Sequence, residues 1–267
     1  MIWRKSAAAA RAATPDAADY GRRHLMNRAR LGRYSLWQFR DFWLERGVAI
    51  LIIGFLWGYV LLEPLRRTMG PQWNAPNSPV RSLSFQVASA VVSLAVLIAL
   101  NGMVSTDRKQ GYYRFLFAKP VSPVAFYAQV FFVYMLGVLI AMLVLASLLR
   151  LILPTFNVFN YLLYSALIYI AMGGIGFFLS VATRFDWVTL AAVWLGSRIL
   201  RSVYGPANDY RSKLVEVLPP VHKLDELANS LIANGTAPMW DVVWLVGYGV
   251  VFFVLGLVIL RRGALSD

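Results

Sequence analysis

The stretch Asp107–Ser122, DRKQGYYRFLFAKPVS, lies between two long apolar runs and decides how the chain is organised. A segment that only joins two membrane spans needs neither a helical pattern nor two prolines placed as punctuation. Here Tyr112, Phe115 and Leu116 fall at i, i+3 and i+4, on one face of a short helix. Arg108, Lys109 and Arg114 are left for the rest of its surface. Pro120 disfavours helical geometry at Lys119 and so closes the element. Ser122 is then expected to cap the next helix through its side-chain oxygen, with Pro123 at the first helical position, where its missing N–H costs nothing. The pattern predicts a separate short helix across the ends of the two flanking spans.

Outward from this loop, the 267 residues are 59% hydrophobic and 15% charged. A soluble domain is closer to about half apolar and about a quarter charged. Because the apolar residues come in long runs, the composition points to an all-helical polytopic membrane protein. About 20 residues at 1.5 Å rise cross a hydrocarbon core of about 30 Å. Six segments qualify: Gly47–Leu62, Phe85–Val104, Pro123–Leu149, Tyr161–Thr183, Trp187–Tyr204 and Trp240–Leu260. The fifth is the least apolar, with Arg198 and Arg201 inside it. There is no cysteine, which removes disulfides and thiolate metal sites.

The net charge of +13 follows the membrane boundaries, which marks orientation rather than nucleic-acid binding. With the N-terminus inside, the N-terminal tail, the 106–119 loop, Arg184 and the closing Arg261–Arg262 pair hold 17 of the 26 Lys and Arg. Both termini are therefore expected in the cytoplasm, with an even number of spans. Residues 1–30 are expected to form a basic, disordered cytoplasmic tail, because Arg11 and Asp16 interrupt the only signal-like alanine stretch. Residues 31–267 then make one transmembrane domain. Its first element, 31–45, interleaves Leu31, Tyr34, Trp37, Phe39, Phe42 and Trp43 with Arg33, Arg40 and Asp41, the composition of an amphipathic helix lying in the interface.

The loop resembles the cytoplasmic loop of the type 2 ABC exporter permeases, the ABC-2 family. Asp107, Arg108, Gly111, Leu116, Ala118, Pro120, Val121 and Ser122 match that pattern in order and spacing. Asp107 stands where Glu is usual, and Tyr112 where Thr or Ser is common. The resemblance implies six transmembrane helices, an N-terminal interfacial helix, a cytoplasmic coupling helix and short outer helices between spans five and six. It also implies a permease subunit without an ATP site of its own. Asp107, Arg108, Gly111, Tyr112, Phe115, Leu116 and Pro120 would couple it to a separate nucleotide-binding ATPase subunit. ATP and Mg would bind to that partner, and a second permease subunit, identical or not, would complete the transporter. No GxxxxGK[ST] phosphate loop occurs in the chain, as the resemblance requires. A bacterial inner (plasma) membrane is the expected location. The alternative on the same loop is a membrane scaffold or assembly factor that docks a cytosolic partner without moving substrate.

Other constellations carry two readings each. Arg198 and Arg201 share a helix face; they either contact an anionic substrate along the translocation path or snorkel to the interface. Asn101, with Ser89 and Ser93, either lines a path or bonds a neighbouring helix. Ala171, Gly173, Gly174 and Gly176 are expected to let two helix backbones approach. Beyond the Pro219–Pro220 break, Leu224, Leu227 and Leu231 fall on one face of an outer amphipathic helix. Asn234-Gly235-Thr236 matches the short glycosylation acceptor pattern. The two histidines, His24 and His222, fall in different expected compartments, and neither paired carboxylates nor metal-ligand spacing suggests an intramembrane enzyme.

Overall fold

Residues 34–69 run as one helix in the computed structural model, which describes residues 32, 34–69, 79–104, 107, 122–154, 156–183, 186–204, 221–233 and 235–263. The expected interfacial helix and first span are therefore not separate elements. Nothing between Glu45 and Val48 breaks a helix, so α1 (34–42) passes through a π-helical turn, Trp43–Gly47, into α2 (Val48–Met69). The turn is closed by the Val48 N–H donating to the Trp43 carbonyl. The remaining helices are α3 (Pro79–Leu100), α4 (Pro123–Ile152), α5 (Val158–Ala182), α6 (Asp186–Tyr204), α7 (Val221–Leu227) and α8 (Met239–Gly263), with a second π-turn, Ala228–Ala233, continuing α7. Every regular element among the described residues is helical.

Among the described residues, four stretches are long and apolar enough to cross a membrane: Tyr34–Val60, Pro123–Leu151, Val158–Ala182 and Met239–Arg262. Ser84–Leu100 is a shorter apolar helix. The span expected to reach Val104 ends at Leu100, because Gly102 takes a φ of 73°, a conformation that terminates helices and suits glycine. At the start of α4, Pro123 occupies the first turn as its sequence position suggests. Ser122 holds the cap position in extended geometry but makes no side-chain cap hydrogen bond; its side chain is exposed. Asn157 does that work for α5, accepting from the backbone N–H groups of Phe159 (3.0 Å) and Asn160 (3.2 Å).

The centre of the bundle is α5, buried along most of its length. It packs backbone to backbone on α8: a Cβ added to Gly174 would overlap the Gly249 carbonyl, and one added to Gly249 would overlap the Ile170 carbonyl. Such an approach needs glycine on both helices. The small-residue run at 171–176 is thus a packing face, as its composition suggests.

A buried phenol needs a partner for its hydroxyl. Three tyrosines of α5 find theirs on three different neighbours. Tyr161 donates to the Ala88 carbonyl of α3 at 3.2 Å, and Tyr169 to the Phe131 carbonyl of α4 at 3.0 Å. Tyr164 donates to the Leu224 carbonyl of α7 at 3.3 Å and shares a 2.5 Å hydrogen bond with the Ser89 hydroxyl. The α7 face carrying Leu224, Leu227 and Leu231 is buried as its spacing predicts, and the π-turn adds Ala228 and Ile232. An ion pair from Lys223 to Asp241 ties α7 to the start of α8.

Gly174→Ala forces the α5–α8 backbones apart and should cost about 1–3 kcal/mol. Gly247→Ala, with nothing within 4 Å of the added carbon, should be neutral. Thermal unfolding of both variants in detergent checks the contrast.

Candidate functional site

The end of the bundle from which the Asp107–Ser122 loop departs carries a connected set of polar contacts. It begins with a helix-end problem. The last carbonyls of a helix need partners beyond it: the Asn101 N–H serves Leu97 and Ile98, the Met103 N–H serves Leu100, and the Arg46 guanidinium, reaching across from the first π-turn, donates to the Ala99 carbonyl at 2.6 Å. A cation at a helix C-terminus is favoured by the helix dipole as well as by the hydrogen bond. The same guanidinium lies 4.8 Å from the centre of the Tyr134 ring of α4. Arg46 therefore holds three helices at one point. The Val104 N–H, just past the turn that ends α3, is taken by the Ser180 hydroxyl of α5 at 3.2 Å.

Asp107 follows directly. Its carboxylate accepts a hydrogen bond from the Tyr127 hydroxyl of α4 at 3.1 Å. Burial pushes the carboxyl above its ordinary value of 3.8, while the Tyr127 hydrogen bond and the Arg46 charge pull it down without reversing the shift. The two ends of the loop are thus tied close to the bundle: one through Asp107, the other through Pro123 at the head of the helix that carries Tyr127.

Beside Tyr134, Phe42 is fully buried in a notch at Gly137, where an added Cβ would overlap its ring. The Phe42 and Tyr134 rings are 5.2 Å apart between centroids. Gln129 of α4 donates to the Ser35 hydroxyl of α1 at 2.7 Å. Among the described residues, Gln38 has the one side chain whose polar atoms, Nε2 and Oε1, are both sealed from solvent without a hydrogen-bond partner. Leaving such a group unsatisfied costs on the order of 1–3 kcal/mol.

Of the residues singled out in the loop, Asp107 is placed by the structure; Arg108, Gly111, Tyr112, Phe115, Leu116 and Pro120 lie outside the described residues. Asn101 sits exposed in the turn after α3, at this same end. Ser89 is bonded to Tyr164 of α5 and so serves a helix contact, whereas Ser93 donates to the Ser89 carbonyl of its own helix at 3.1 Å. Arg198 and Arg201 lie on α6, with side chains outside the described set. A groove of about 390 Å³ runs beside that helix, between Phe178 and Leu179 of α5, Gly196 and Ser197 of α6, and Tyr248 and Phe252 of α8. His24 and the side chain of His222 are likewise outside the described residues, among which no group of acidic or histidine side chains could hold a metal.

Sequence reasoning missed Arg46, Tyr127, Tyr134 and Gln38. Only Arg46 left a trace, as the last cation before a long apolar run. No protein-family model, curated protein or solved structure matches this chain.

A carboxyl with a raised folded value binds more protons when folded, so its stabilising contribution is full below 3.8 and is lost as pH rises through the raised value. Asp107→Asn keeps an acceptor for Tyr127 and removes the buried charge. It should raise thermal stability at pH 7, with the gain shrinking as pH falls toward 3.8. Tyr127→Phe should act the other way, costing about 1–3 kcal/mol at pH 7. Unfolding of the three proteins across pH tests both signs.

Proposed function

We propose that the chain is the transmembrane permease subunit of an ATP-driven exporter of the type 2 ABC kind. The observation that carries this is the Asp107–Ser122 pattern, which joins α3 to α4. In this function the loop is a coupling helix that docks into a groove on a separate ATPase, which binds ATP and Mg. A second permease copy or homologue completes the pathway. Six helices would cross a bacterial inner membrane, α6 being the fifth, with both termini in the cytoplasm.

The bundle supplies what mechanical coupling needs at the loop's root. ATP-driven closure of the partner moves its groove, and the docked loop passes that displacement to α3 and α4. Asp107 is bonded to α4 through Tyr127, and the end of α3 is held by Arg46 and Ser180. A pull on the loop is therefore delivered to several helices at once. Nucleotide and substrate can shift this equilibrium only through different affinities for its two states. The arginines at 198 and 201 and the turn at Asn101 are the candidates for contact with a translocated substrate.

The test is a detergent pull-down of the tagged chain from its native host, alongside Leu116→Asp. An ATPase should co-purify with the native loop and be lost with the charged variant, and Gly111→Pro should abolish transport without affecting insertion. Absence of any ATPase from both samples, with the protein intact, would turn the assignment to a scaffold.

A further inference from the structure

We propose that the Trp43–Gly47 π-turn is a register hinge about which α1 rotates on the bundle while α2 stays in place. This goes beyond the permease function and does not depend on it. A π-turn holds one residue more than the α-helix it interrupts. The residues on either side are already α-helical, Phe42 at φ −53°, ψ −47° and Val48 at φ −64°, ψ −43°. The turn can thus relax to α geometry without unwinding its flanks. With all its residues kept, that relaxation turns α1 by about 100° and shifts it by about 1.5 Å.

The present arrangement contains one misfit. Contacts that hold the arrangement include Phe42 in the Gly137 notch and against the Tyr134 ring, and the Gln129–Ser35 hydrogen bond. Against it stands Gln38, whose amide is sealed without a partner; a rotation of that size moves it to another face of the helix. Much of the α1 and π-turn surface has no packing to lose, since Leu36, Trp37 and Leu44 are 71%, 72% and 68% exposed. Inside the turn the Trp43 indole lies on Gly47, where any Cβ would overlap its ring, so only glycine accommodates this geometry. Arg46 belongs to the turn itself and grips the end of α3. The position of the hinge is therefore felt one step from Asp107.

The absence of native cysteine permits labelling of the full-length protein at Leu36→Cys and Val250→Cys, two exposed sites. Spin-label distances between them should fall in two populations, separated by up to about 8 Å, the chord of a 100° turn on a helix about 10 Å wide. Deleting Leu44 removes the surplus residue while keeping the flanking faces in phase, and should leave only the population of the present arrangement. Gly47→Ala should enrich the other. A single population in the native protein that Gly47→Ala leaves unchanged would overturn the hinge, as would two populations that survive the deletion.

Discussion

Everything in the bundle is arranged around two glycines. Gly174 and Gly249 let the backbones of α5 and α8 touch, with no side chains between them. This contact fixes α5 as the central helix and commits its other faces to α3, α4 and α7. In a buried helix the polar atoms on those faces need partners, and Tyr161, Tyr164 and Tyr169 reach backbone carbonyls on those three neighbours, one each. Ser180, two turns below Gly173 on the same helix, takes the Val104 N–H where α3 turns out of the bundle. The position of the loop's first residues is thus set from the centre of the molecule outward.

The polar end of the bundle follows from the same constraint. Once α3 is held against α5, its final carbonyls must be satisfied where they lie. Arg46 meets Ala99 there, and its charge helps offset the burial of Asp107 nearby. One arginine thereby joins the first long helix to α3 and, through the Tyr134 ring, to α4. On the proposed permease function this is the region that receives force from the ATPase. The helix carrying Arg46 is also the one that departs from α geometry at that residue.

The legible part of the fold was the part written in composition and period. Long apolar runs marked α4, α5 and α8, and the small residues at 171–176 marked a face of close approach. Their partner, Gly249, was not legible, because a glycine cluster does not say which helix it meets. The Leu224, Leu227 and Leu231 spacing gave the buried face of α7. The π-turn left no trace: one surplus residue in a helix changes neither composition nor capping, so 31–45 read as an element separate from the first span. Ser122 was expected to cap α4 with its hydroxyl, but a residue type shows cap preference and not side-chain direction. At the site, Asp107 was visible as the start of a patterned loop. Its partner Tyr127 lies 20 residues on, inside an apolar helix where a tyrosine is unremarkable. Arg46 looked like any cation flanking a span.

On the permease proposal, the 107–122 loop is held by an ATP-driven partner. This is tested most directly by placing a photo-crosslinking residue at Phe115 of the full-length chain in its native membrane and identifying the adduct. A covalent adduct with an ATP-binding subunit is the expected result. An adduct confined to proteins that bind no nucleotide, or none at all from a chain correctly inserted in the membrane, would contradict it.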